Sequence, residues 1–143
     1  MSASAGAILL AGRVLFAVFF AGSAYGHFKN HTMMTAYARK VGVPVPVLAG
    51  WPAGAWLAAG AISVAAGIWA DLGSLMLAAF VVPAAGLLHT FWRIEDPTQR
   101  QTEQMSFLRN VTFLGAALAL FAVFASIDHN LRFAVTGSLF DLS

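Results

Sequence analysis

NVTFLGAALALFAVFASI, residues 110–127, contains no Asp, Glu, Lys or Arg, and it decides how the rest of the chain is read. At 1.5 Å per residue a helix over this stretch is about 27 Å long, close to the roughly 30 Å hydrocarbon core of a bilayer. Working back along the chain, Leu72–Leu88, Val41–Ala70 and Val14–Phe28 are equally free of those four residue types. Each piece, extended slightly into its flanks, is long enough to cross a membrane. The expected fold is therefore all-α: an integral membrane four-helix bundle with antiparallel, up-down spans at about 7–28, 47–69, 72–91 and 105–126. Residues 29–46 and 92–104 are expected to be long loops, and residues 1–143 a single transmembrane domain.

Composition points the same way. Of 143 residues, 59% are hydrophobic and 10% charged, more apolar surface than one small soluble core can bury, so lipid must cover the remainder. Eight Lys and Arg against six Asp and Glu are spread among the connections with no basic patch, which argues against a nucleic-acid partner. The chain has no cysteine, so disulfides, thiol relays and iron–sulfur clusters are not expected. The apolar N-terminal stretch has no basic segment before it and reads as the first span rather than a removable signal.

Punctuation is regular. Lys29-Asn30-His31-Thr32 opens the first loop, and Gly42-Val43-Pro44-Val45-Pro46 closes it in extended X-Pro geometry. Asp71 and Gly73 mark a short turn between the second and third spans, Pro83 is expected to kink the third, and Asp96-Pro97 marks a helix start. Gly22 and Gly26, then Gly50 and Gly54, repeat at the small-xxx-small spacing of close helix contacts. Packing within the chain's own bundle is the simpler reading of these glycines, and a homo-oligomer seam the alternative. Lys29, Arg39, Lys40, Arg93, Arg100 and Arg109 lie in or beside the long loops, which the positive-inside rule places in the cytoplasm, with both termini outside the cell membrane.

The polar residues near the span ends are the candidates for chemistry. His27 ends the first span, His89 and Trp92 end the third, and Arg109 and Asn110 begin the fourth, so the topology brings them to one membrane face. Ionisable groups at membrane depth are costly unless paired or facing a cavity. Trp92 and Lys29 also suit simple interfacial anchoring. His89 follows Leu87-Leu88 and needs a partner, and Arg109 is expected to face inward against one of the nearest carboxylates, Glu95, Asp96 or Glu103, against His89, or against a bound polar headgroup. Arg13, in the first span, is expected to pair with Asp71 or Asp128 for structural reasons. His27 and His31 stand at i, i+4, but that spacing arises easily by chance and no metal site is expected; nor is a haem, for want of a supporting pattern.

Several of these residues fall in a recognisable order. Arg13 leads a Phe-rich stretch to Phe20 and Gly22. Met33-Met34 precedes Tyr37-Ala38 and Gly42-Val43-Pro44; His89-Thr90-Phe91-Trp92 is followed by Asp96-Pro97; and Met105 precedes Phe107-Leu108-Arg109-Asn110. In this the chain resembles DoxX-type membrane proteins over nearly its whole length. Two departures stand out. Trp56-Leu57-Ala58-Ala59-Gly60 lacks the glutamate of the Glu-Leu-x-Gly-Gly element found in many relatives, and Thr90 replaces a proline. The resemblance implies an accessory subunit of a membrane-bound oxidoreductase or respiratory complex, not catalytic on its own and with no catalytic residue to assign. A quinone or a lipid headgroup held near His89 and Arg109 is the implied ligand. The alternative is a non-catalytic structural or assembly subunit packed against other membrane proteins; a transporter ranks third, for want of a carboxylate pathway and an inverted repeat.

Overall fold

A computed structural model describes residues 1–127 and 130–142, and within them the fold is helical, with no strand. α1 spans Ala3–Lys29 and starts where the Ser2 hydroxyl accepts from the Ala5 N–H at 3.2 Å. α2 spans His31–Lys40, in the segment expected to be loop. That expectation took Lys29–Thr32 as a break; only Asn30 is one, and good helix formers continue until Gly42, whose φ of +84° and the prolines beyond it end the helix.

A single 3₁₀ turn, Pro46–Ala49, leads into α3, Trp51–Ala66, with Pro52 in its first turn, where a missing N–H costs nothing. At 16 residues α3 is about 24 Å long, shorter than the expected span 47–69. It ends at Gly67, in the left-handed conformation at φ +68°. α4 spans Ala70–Pro83. The expected disturbance at Pro83 takes a definite form: regular α-helix stops there and a wider π turn, Ala84–Leu88, replaces it, because proline offers no N–H to the preceding turn. α5 spans Pro97–Ile127, eight residues longer at its start than the expected span, because the Asp96 carboxylate caps it by accepting from the Gln99 N–H at 2.7 Å. Much of the expected loop 92–104 is thus helical. Three segments are long and apolar enough to cross a membrane: Ala3–Lys29, Ala70–Arg93 and Pro97–Ile127.

α3 packs between α1 and α4, and α4 also packs on α5. The core joins Phe20 and Ala24 of α1, Leu57 and Val64 of α3, Leu77 and Val81 of α4 and Phe124 of α5. Contact between α1 and α5 is made by rings, with Phe113 centred 4.1 Å from Phe19 and 5.4 Å from Phe20. The glycines divide. Gly54 lies against the Phe28 ring and Gly50 against His31 and Thr35, whereas Gly22 and Gly26 have open space where a side chain would stand. The packing expected of all four within the chain therefore holds only for Gly50 and Gly54. Large apolar side chains such as Ile8, Leu15, Val18, Ile62, Val111 and Leu118 point outward, as lipid-facing surface does.

Candidate functional site

Polar side chains gather at two ends of the fold. At the first, Arg13 is fully buried and donates from Nε to the Val64 carbonyl at 2.8 Å, from Nη2 to Ala65 at 2.8 Å and from Nη1 to Phe133 at 3.1 Å. The expected pairing with Asp71 is not made, and Asp128 lies outside the described residues. Carbonyls at the C-terminal end of α3 carry the negative end of its dipole and have no N–H partner of their own, so they meet the guanidinium, which pairs with no carboxylate among the described residues. Asp71, also fully buried, instead fastens the C-terminal tail: its Oδ2 accepts from the Leu139 and Phe140 N–H groups at 2.6 and 2.7 Å, while Oδ1 has no partner. The tail also gives the Val135 and Thr136 N–H groups to the Gly67 carbonyl, and Arg132 reaches the Met1 carbonyl at 2.9 Å.

At the other end, a cavity of about 470 Å³ opens between the 43–53 segment and the C-terminal half of α4. Its walls are apolar: Val45, Leu48, Ala53, Phe80 and Leu87, with Pro44, Pro52 and Pro83 adding flat faces. His27 and Trp56 are the polar side chains that line it. The Trp56 indole donates to the Met76 carbonyl at 2.7 Å. His27 is 8% exposed; its Nδ1 lies 2.6 Å from the Ala49 carbonyl and its ring stands edge-on to Phe80.

Beside the cavity, His89 Nδ1 and Glu103 Oε2 are paired at 2.8 Å, the one side-chain ion pair among the described residues. Tyr37 of α2 donates to the Leu88 carbonyl at 3.0 Å. Partial burial, reinforced by the charge of Glu103, holds the Tyr37 phenol above its ordinary range. His89 therefore has a carboxylate partner, but neither of the residues that complete this group was among the candidates for binding. Tyr37 was hidden in the segment read as loop, and Glu103 was considered only as a counter-ion for Arg109.

Arg109 is elsewhere. It is exposed, donates to Ser106 Oγ at a long 3.4 Å and lies over the Phe19 ring at 5.9 Å, so the expected inward placement against Glu95, Asp96, Glu103 or His89 is not found. Six residues along α5 turn it about 120° away from Glu103. Asn110 donates to the Ser106 carbonyl of its own helix at 3.1 Å, Asp96 is spent on the cap of α5, and Glu95 is exposed. Trp92 packs edge-on against Phe91 and Phe107, tying the 3₁₀ turn Phe91–Arg93 to α5. His31 packs beside Trp51, away from a shared centre with His27, and among the described residues no group of three or more His, Asp or Glu could hold a metal.

Helices of membrane length, an apolar exterior and an apolar side cavity with one histidine in its lining define a small all-helical membrane protein. The DoxX family model matches residues 8–90, more than half of the chain, and the chain belongs to the DoxX family. The match takes in α1 to α4 and ends at Thr90, so the likeness noted at Asp96–Asn110 lies beyond it. No curated protein and no solved structure matches the chain.

Proposed function

We propose that this DoxX-family protein is an accessory subunit of a membrane-bound oxidoreductase and holds a quinone-type ring or a lipid headgroup in the cavity beside His27. The observation that carries the reading is the cavity itself: its volume lies in the usual range for small-molecule sites, its walls are apolar and aromatic, and one buried histidine stands in its lining. Electrons would be stored by the partner, since a chain without cysteine has no thiol redox centre of its own. The neighbouring His89, Glu103 and Tyr37 would keep the mouth of the site polar, while Trp92 would anchor the adjoining turn.

In this reading α1, α3, α4 with its π turn, and α5 cross the cell membrane as an antiparallel bundle forming a single transmembrane domain. The long connections face the cytoplasm and both termini face outward. Six of the eight Lys and Arg residues fall in or beside those connections, which supports the orientation. A reporter fused to the C-terminus tests it, and cytoplasmic signal refutes it. For the ligand, the test is extraction in mild detergent followed by mass spectrometry of copurifying lipids, quinones and proteins. A quinone-type or lipid species retained by the wild type and lost from His27→Phe is expected; equal retention by both refutes the assignment.

A specific observation favours the scaffold reading as well. Arg109 is exposed where α5 becomes continuously apolar, with no carboxylate partner among the described residues, and its neighbour Phe19 shares a face of α1 with the open Gly22 and Gly26. An acidic group on a partner helix, or a second copy packed at that seam, would neutralise or cover this surface. Loss of copurifying protein from Arg109→Gln with the ligand retained would show that the two surfaces act separately.

A further inference from the structure

The hydrogen-bonding state of the cavity narrows what it can hold. The Ala49 carbonyl can only accept, so its 2.6 Å approach assigns a hydrogen to His27 Nδ1 and consumes it. In the neutral imidazole the other nitrogen, Nε2, is then a bare acceptor. Among the described residues Nε2 bonds to no group, and it is not sealed in the interior, where Asp71 Oδ1 is the one described buried side-chain nitrogen or oxygen without a partner. The ring is more than nine-tenths buried and lines the cavity, so the surface left to Nε2 is the cavity's. The second polar side chain in the lining offers nothing to an acceptor, because the Trp56 N–H is already given to Met76. No carboxylate stands in the lining to pair with an imidazolium. Both side-chain donors are spent, and one side-chain acceptor remains.

From this we infer that the cavity selects a lipid-soluble molecule whose head donates a hydrogen bond, a phenol-type hydroxyl on an apolar body, and discriminates against the carbonyl-headed counterpart. The inference rests on the ligand-holding reading above and sharpens it: of a quinone couple, the reduced, hydroxyl-bearing form is the one His27 recognises. Flat faces suit a ring head. Phe80, Trp56 and the three prolines line the space a planar head would enter, and an apolar tail would leave through the open side toward lipid. A carbonyl head would set its own lone pairs against Nε2, leaving two acceptors facing each other, and a buried acceptor without a donor is unfavourable.

The test uses the full chain in detergent micelles, with empty micelles as the partition control. Three probes share one decyl tail: a hydroquinone, the corresponding quinone and the hydroquinone dimethyl ether. Calorimetric titration should show the hydroquinone binding about tenfold more tightly than either of the others, the difference expected from one neutral hydrogen bond. His27→Phe should bring the three affinities together. Equal affinities in the wild type overturn the donor inference and leave the cavity reading standing; failure of all three to bind overturns both. A separate measurement avoids dependence on how the variant folds: in ¹⁵N-histidine-labelled wild type, His27 should carry its hydrogen on Nδ1 alone. A hydrogen on Nε2, alone or with a second on Nδ1, overturns the inference.

Discussion

Replacing Arg13 with lysine and, separately, with methionine divides the charge of this residue from its geometry. The guanidinium forks to three carbonyls on two segments, Val64 and Ala65 of α3 and Phe133 of the tail. Methionine leaves three acceptors unsatisfied, about 1 kcal/mol each at the low end of the usual range. It also removes a buried charge that costs about 2.5–3.5 kcal/mol at membrane depth, so the terms nearly cancel and the net loss stays below about 2 kcal/mol. Lysine keeps the charge but presents one nitrogen on a single stem, which reaches one carbonyl well and leaves ammonium N–H groups unpartnered in a site closed to solvent. Its loss should be about 3–5 kcal/mol, as for other buried charges deprived of partners. Unfolding in mixed micelles of rising SDS fraction, followed by circular dichroism, should give midpoints in the order wild type, Arg13→Met, Arg13→Lys. Lysine equal to wild type, or more stable than methionine, refutes the idea that forked donation to carbonyls is what makes the buried charge tolerable.

Asp71→Ala removes the acceptor for the Leu139 and Phe140 N–H groups; limited proteolysis should then cut residues 133–142 at least tenfold faster while the helical signal is unchanged. Gly54→Val thrusts a side chain into the Phe28 ring and should lower stability by about 1–3 kcal/mol, whereas Gly22→Ala, facing open space, should leave the monomer within about 0.5 kcal/mol of wild type, as thermal denaturation would show. Glu103→Gln should cost less than about 1 kcal/mol, since the His89 pair is partly solvated, and should move the ultraviolet titration of Tyr37 down toward the ordinary phenol range. Because the folded chain holds the Tyr37 phenol above its unfolded value, its contribution to stability is complete below the unfolded phenol range and is lost as pH rises through the folded value. Tyr37→Phe should therefore flatten the alkaline limb of a stability profile.

Apolar helices of membrane length were legible because charge is excluded from them, and that exclusion acts residue by residue. Pro83 and Asp96-Pro97 marked real boundaries because each acts on the backbone beside it, whereas Asp71 and Gly73, expected in the turn, lie inside α4 and the turn is made at Gly67–Trp69. Partners were harder. Arg13 binds carbonyls, which every residue possesses and no sequence advertises, so the sequence pointed to Asp71, which holds the tail instead. The sequence brings His89 and Arg109 only to the same end of their helices; His89 meets Glu103, six residues and about 9 Å along α5 from Arg109, and the azimuth that turns Glu103 toward His89 and Arg109 toward Phe19 depends on how α5 packs. Reading His31–Lys40 as loop left Tyr37 a motif residue without a place beside His89 and Glu103. His27 stands out in the sequence as a polar residue near a span end, yet the proline-walled space beside it arises from segments far apart in sequence.

The third carbonyl around Arg13 has a consequence for how the chain is made. Phe133 leaves the ribosome after all five helices, so a growing polypeptide holds a guanidinium short of one partner through most of its insertion. Docking of the tail onto Gly67 and Asp71 brings Phe133 to that shell. A product that stops before Phe133 would keep every apolar segment the insertion machinery reads and still expose a buried cation's vacancy to the membrane's quality-control proteases.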